Sequence, residues 1–235
     1  MTICGLPISQ SELLSLVVVA ALGACSSGPR TTTIASTWQM VGSTISVAAW
    51  SKDSSTLQAA IDRMRDSTRA FDSTTAGAGA RAAWPAERGD SPLRLEWRDV
   101  ADSYVLDRAV PLLASAADSA LIDLGGLFLW VGPETKRIVG IADPGNALDP
   151  VAGVELHSGA VSTVSGRAER RALTVLAPAA FKAAAWSSAL FSLGCDKALA
   201  QAARRGISVV CADSAGVRWS PELQNRVVLP PAREP

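Results

Sequence analysis

The run from Ala172 to Gly194, ALTVLAPAAFKAAAWSSALFSLG, constrains this chain more than any other stretch. Leu173-Thr174-Val175-Leu176 is apolar and β-branched, as a short buried strand requires, and Pro178 stands where a helix can begin without losing a needed donor. The spacing predicts a strand, a turn and a helix in succession. Along that helix Trp186, Leu190 and Leu193 fall on one stripe at i, i+4 and i+7, while Ala184, Ser187 and Ser188 share another. One stripe packs into a core; the other offers hydroxyls and no acid.

At 235 residues, 48% hydrophobic and 19% charged, the chain is long enough for one substantial core, so a single domain is the expectation. Lys plus Arg and Asp plus Glu both number 22, which gives no overall attraction to nucleic acid or anionic lipid. His157 is the only histidine, which argues against zinc and Ser-His-Asp chemistry. A metal held by oxygen ligands, such as Mg²⁺, remains compatible.

Near the N-terminus, Leu13 to Leu22 is an apolar run of signal-peptide length followed by Gly23-Ala24-Cys25. That ending resembles a bacterial lipobox, in which small residues fit a peptidase cleft and Cys25 becomes the acylated first residue. Residues 1–24 are therefore read as a lipoprotein-type signal peptide and 25–36 as a tether. The expected location is the cell envelope, lipid-anchored to the membrane and facing the periplasm or exterior. Met1 to Glu12 lacks the Lys or Arg usual in an export signal. Cys195 and Cys211 then remain in the mature domain, either as a disulfide or as two separate half-buried thiols.

Gly42 to Ala48 alternates like a half-buried strand, and Leu57, Ile61 and Met64 have helical spacing through Phe71. Residues 73–92 are rich in Ala, Gly and Ser without an obvious period and read as a loop or linker. Val100 to Leu113 reads as a second helix. Strands follow at 120–124, 127–131, 137–142, 151–156 and 160–164, then the strand and helix of the opening paragraph, a helix at 196–204 and a strand at 207–212. Gly125-Gly126 suits a tight hairpin or the close approach of a ligand. Helices and strands mix without strict alternation, which favours an α+β fold with a mixed sheet and packed helices.

This order of elements resembles the ApbE family of FAD:protein FMN transferases. Gly42-Ser43-Thr44 is similar to the family's opening Met-Gly-Thr strand, with Val41 in the Met position, and Ala70-Phe71-Asp72 matches its Ala-Phe-Asp motif. Leu95 to Asp107, LEWRDVADSYVLD, resembles the segment of Asp-Leu-Gly-Gly-Ile-Ala-Lys-Gly-Tyr-Ala-Val-Asp type. Ala120 to Gly126 is like the strand ending in a Gly pair, and Ala160 to Gly166 resembles the Ser-Thr-Ser-Gly turn with one residue inserted. The resemblance spans roughly residues 37–220, with 221–235 left as a C-terminal tail, and implies an ApbE-like, T-fold-like single domain. It further implies Mg²⁺-dependent transfer of FMN from FAD to a Thr or Ser hydroxyl of an acceptor flavoprotein. Ala70, Phe71, Asp72, Glu96 and Asp102 are the expected flavin contacts, with Asp102 also the catalytic candidate.

Typical members carry an Asp and a Thr four residues apart on the helix after the Thr-Val strand, and here those positions hold Ala184 and Ser188. The expected metal donors are accordingly Asp99, Ser187 and Ser188. Asp99 has two readings, a carboxylate replacing the one missing at Ala184 or a cap for the helix beginning near Val100. Glu96 takes the place of the family's Asp, Asp102 replaces its Lys or Glu, and the His-Ile-Ile-Asp-Pro loop is absent between Gly166 and Ala172. These departures leave a second reading, a pseudoenzyme kept as a flavin-binding or protein-binding envelope lipoprotein.

Overall fold

Ile45, Val47 and Ala49 point to one side of a strand and are fully buried, while their neighbours are half-exposed. That period of two sets β2 (Ser43–Ser51) with one face on a core. β1 (Thr32–Met40) pairs antiparallel along its whole length, from Thr32 opposite Ser51 to Met40 opposite Ser43. Thr32 to Ser36, expected within a tether, is thus a strand, because its Thr-rich, β-branched sequence completes the hairpin with β2. The computed structural model describes residues 31–40, 43–71, 73–133, 136–146 and 149–230, apart from 89–92, 94, 96, 98 and 99. The signal-peptide and lipidation readings, including Cys25, lie outside the described residues.

Nine further strands follow among the described residues: β3 (Ser119–Asp123), β4 (Leu127–Val131), β5 (Arg137–Ala142), β6 (Pro150–Leu156), β7 (Gly159–Gly166), β8 (Arg171–Ala177), β9 (Ser208–Asp213), β10 (Gly216–Trp219) and β11 (Val227–Val228). They build an eight-stranded sheet in the order β1-β2-β3-β4-β7-β8-β9-β10 and a three-stranded sheet in the order β11-β6-β5. Every described pair is antiparallel, so the sheets are not mixed as expected. The reason is topological. Both helical excursions, one between β2 and β3 and one between β8 and β9, return the chain to the neighbouring strand in the opposite direction, so neither is a parallel crossover.

The first excursion holds α1 (Ser54–Arg69), α2 (Ser73–Arg88) and α3 (Ala101–Ala114). Asp53 starts α1 by accepting the Ser55 and Thr56 amides, both at 3.0 Å, and their hydroxyls at 2.7 and 2.6 Å. These donors, the Thr56 hydroxyl foremost, hold its carboxyl well below the usual carboxylate range. Leu57, Ile61 and Met64 of α1 are buried as their spacing predicts.

Helix α2 replaces the loop expected over 73–92. Its signal is a stripe of small residues, Ala76 and Ala80, ending in Trp84, all buried at intervals of one turn. Gly79 belongs to the same packing, since a methyl there would stand 2.3 Å from the Tyr104 ring of α3. The second excursion holds α4 (Ala180–Phe191) and α5 (Cys195–Ala203).

The helices cover one face of the large sheet, enclosing a core that includes Ile45, Leu57, Ile122, Leu173, Val175, Trp186 and Leu190. Trp84 and Trp186 meet edge to face at 5.2 Å inside it. The small sheet covers part of the other face through Trp130, Ile141, Val154, Leu156, Val161, Leu176 and Val210. Residues 221–228, expected as tail, join this second core: Leu223 is fully buried, β11 pairs with β6, and the Arg226 guanidinium donates to the Glu155 carbonyl at 3.0 and 2.6 Å.

Cys195, the first residue of α5, is bonded to Cys211 of β9, with Cα atoms 5.6 Å apart and both residues buried. The sequence left two states open, and the fold selects the disulfide by bringing these positions within bridging reach. The loop it closes is short, 16 residues of separation. Replacing both cysteines by alanine is expected to lower unfolding free energy by about 3 kcal/mol, the loop-closure value for such a span, as read in urea denaturation.

Candidate functional site

Helix α4 has no side-chain cap of its own, because Ala179 occupies the N-cap position. The cap comes from α3 instead. Asp107 Oδ1 accepts the Ala180 amide at 2.8 Å and Oδ2 accepts the Phe181 amide at 2.9 Å, across more than seventy residues of sequence. A carboxylate receiving two first-turn amides also meets the positive end of the helix dipole, an arrangement worth on the order of 1–2 kcal/mol. Tyr104, one turn before Asp107, packs edge to face on Phe181 at 5.9 Å. These contacts fix α3 against α4.

The two helices form walls of one cleft of about 390 Å³. Asp102 and Ser103 line it from α3, and Ala184, Ser187 and Ser188 from α4. The floor comes from Ser43 of β2, the β3–β4 hairpin at Leu124 to Leu127, and Ser162 to Ser165 of β7. Ser187 is fully buried, and its hydroxyl donates to the Ala184 carbonyl at 3.0 Å. The 2.9 Å contact between the Ser162 and Ser187 hydroxyls therefore has Ser162 as donor. That bond joins α4 to β7. Ser188 is only partly buried, so of the two serines expected as metal donors it has the hydroxyl with room for a ligand.

Gly125 and Gly126 both take positive φ, 54° and 96°, which lets the hairpin turn at the cleft edge. A side chain at Gly126 would press on the Thr163 carbonyl at 3.3 Å, and the Thr163 amide donates to the Gly126 carbonyl at 2.9 Å. The amides of Gly125 and Gly126 donate to the carboxylate of Asp123. Burial nevertheless raises the Asp123 carboxyl above its ordinary value, with those two bonds offsetting part of the effect, and one carboxylate oxygen is buried without a partner. Asp102 is likewise pushed upward by burial, partly offset by a hydrogen bond from the Ser43 hydroxyl.

Of the residues singled out from sequence, Asp102, Ala184, Ser187 and Ser188 thus converge on one cleft. Ala70 and Phe71 do not line it: Ala70 is the exposed C-cap of α1, and the Phe71 ring is drawn against the core as α1 ends. Asp72, Glu96 and Asp99 lie outside the described residues. The N-cap position of α3 is Val100, which makes no side-chain cap bond. Arg167 and Arg170 are exposed on the β7–β8 turn, and the Arg171 guanidinium covers the Phe191 ring at 4.6 Å, so this basic cluster does not face the cleft. His157 stands just after β6, half-exposed, beside Glu155 at 3.5 Å. Sequence reasoning missed Asp107 as a cap and Asp123 as the hairpin's anchor. The Asp-x-Gly-Gly spacing held a signal for the latter, because an Asp two residues before such a turn accepts its amides.

The ApbE family model matches residues 23–172, well over half of the chain. This protein belongs to the ApbE family. No curated protein matches it. Among solved structures it is similar to the ApbE protein of Thermotoga maritima, at 16% identity and a TM-score of 0.61, covering 83% of this chain and 99% of that one. Flavin Transferase ApbE from Vibrio cholerae aligns at 14% identity and a TM-score of 0.57, over 84% and 100% of the two chains. Flavinyl transferase ApbE from Pseudomonas stutzeri, in its apo form, aligns at 15% identity and a TM-score of 0.57, over 82% and 97%.

The family match stops at Ala172, so α4 lies beyond it, and the helix wall of this ApbE-family cleft has to be read from its own residues. Asp123 gives a direct check on that geometry. Because its folded-state carboxyl is raised, the protonated form favours folding, and stability is lost as pH rises from the unfolded value through the folded one. Asp123→Asn is therefore expected to raise the melting temperature at pH 7 and to leave it nearly unchanged at pH 3, as followed by circular dichroism.

Proposed function

We propose that this protein is an FAD:protein FMN transferase, moving FMN from FAD to a Thr or Ser hydroxyl of an acceptor flavoprotein. One observation carries the reading: in an ApbE-family chain, a single cleft gathers an oriented carboxylate, a glycine hairpin and the hydroxyls of β7 and α4. In the reaction the acceptor oxygen forms a new bond to the FMN phosphorus, the pyrophosphate bond to AMP breaks, and AMP leaves with that bond's electrons as the hydroxyl proton is released. Such a transfer depends on positioning and on neutralising charge rather than on covalent chemistry by the protein.

The cleft's described donors suit the phosphate end of the substrate. Ser43 and Ser188 offer hydroxyl oxygens along its wall and floor, the Thr163 hydroxyl being paired with Thr174 at 2.9 Å, and the glycine hairpin lets a ligand approach backbone closely. Mg²⁺ takes oxygen donors, commonly one or two carboxylates together with substrate phosphates and water. Asp102 supplies one carboxylate and Ser188 a hydroxyl, so these residues fit a cation that the substrate completes. When bound, the ion supplies charge neutralisation on the pyrophosphate. Ser43 keeps the Asp102 carboxylate oriented, and the Ser162–Ser187 bond keeps α4 in register with β7. Acylation at Cys25 would hold the domain at the envelope membrane.

A second reading, flavin binding without transfer, draws on Ala184, whose methyl group lines the cleft where the family carries a carboxylate. The test is to incubate the purified protein with FAD, Mg²⁺ and an acceptor domain and to follow covalent flavin by in-gel fluorescence. Fluorescence on the acceptor band is the expected result. FAD binding without a fluorescent band would establish the second reading, and absence of both would overturn the flavin assignment.

A further inference from the structure

We propose that Asp102 carries the cation-binding charge of this cleft, so that the metal's carboxylate comes from α3 rather than α4. The inference deepens the flavin-transferase reading and rests on it.

The α4 wall has no charge to offer. Ala184 presents a methyl group, 7% exposed, and Ser187 has its hydrogen donated to the Ala184 carbonyl and its oxygen accepting from Ser162. Of the described α4 residues that line the cleft, only Ser188 keeps a hydroxyl for a ligand. Across the cleft, in the first turn of α3, stands Asp102, the one charged side chain among the described residues that line it. No Lys, Arg or His is among those lining residues.

This charge pattern is the argument for a cation. The pyrophosphate of FAD is a dianion, and a cleft of about 390 Å³ sets it close to the Asp102 carboxylate. With no basic side chain among the described lining residues, the two anions repel. A divalent cation between them turns that repulsion into two attractions, and Mg²⁺ commonly takes one protein carboxylate and completes its shell with substrate phosphates and water. Asp102 is also held in place: the Ser43 hydroxyl donates to it, and the next residue, Ser103, is anchored by its hydroxyl to the Val100 carbonyl at 2.6 Å. The described lining thus has its one carboxylate on α3, with the methyl group of Ala184 on the α4 wall.

Equilibrium FAD binding, followed by flavin fluorescence with Mg²⁺ or with EDTA, tests this without reference to turnover. The wild-type protein is expected to bind FAD at least about tenfold more tightly with Mg²⁺ than without. Asp102→Asn keeps the side-chain shape, and two results are expected of it together: metal-free affinity above that of wild type, because the repulsion is gone, and no gain on adding Mg²⁺. The double variant Asp102→Asn, Ala184→Asp returns a carboxylate to α4 and is expected to regain the Mg²⁺ effect. Any of three results overturns the assignment: an intact Mg²⁺ gain in Asp102→Asn, no Mg²⁺ gain in wild type, or a double variant as insensitive to Mg²⁺ as the single one. If neither wild type nor the variants bind FAD under either condition, the flavin reading fails and takes this inference with it.

Discussion

The two bonds from Asp107 to the Ala180 and Phe181 amides are the contact on which the site depends. They join α3, which follows the first helical excursion's long connection, to α4, which begins the second. Without them α4 would enter the core with its first amides uncapped, since Ala179 has no side-chain acceptor. The cleft exists because these helices are held at a fixed separation over the end of β7. The Ser162–Ser187 bond repeats the constraint from below, and the Tyr104–Phe181 contact repeats it from the side. Three contacts of different chemistry thus set the same geometry.

What could be read beforehand follows from how local each determinant is. The β8–α4 unit was legible because its β-branched run and its Trp186–Leu190 stripe declare their periods within a few residues. The strands from Ala120 onward were legible for the same reason. Helix α2 was not, since its buried face is made of small residues, Ala76 and Ala80, which read as linker until the helix packs, with Gly79 close against the Tyr104 ring of α3. The antiparallel pairing of β2 with β3 and of β8 with β9 was also out of reach, because it depends on where two helical layers return the chain. The Cys195–Cys211 bond depends on a separation in space that residue spacing does not encode.

The site shows the same division. Asp102, Ser187 and Ser188 were found from positions in a motif order, and the fold places them on one cleft. Their roles had to wait for the structure. Ser187 turns out to be a buried structural hydroxyl, committed on both sides, while Ser188 keeps room for a ligand. Asp123, which shapes the glycine hairpin with its carboxylate, carried no functional label in the sequence because its task is performed on backbone amides. The cleft is rich in hydroxyls and holds a single described carboxylate.

The central claim is that the space between α3 and α4 is where the flavin dinucleotide binds. Ala184 lines that space and is neither of the residues whose amides Asp107 accepts, so Ala184→Phe fills the cleft without altering the capped amides of Ala180 and Phe181. FAD titration of this variant, with its melting temperature checked beside wild type, is the most direct measurement. The account predicts an affinity lowered by at least about tenfold in a protein that remains folded. An affinity equal to that of wild type would contradict it.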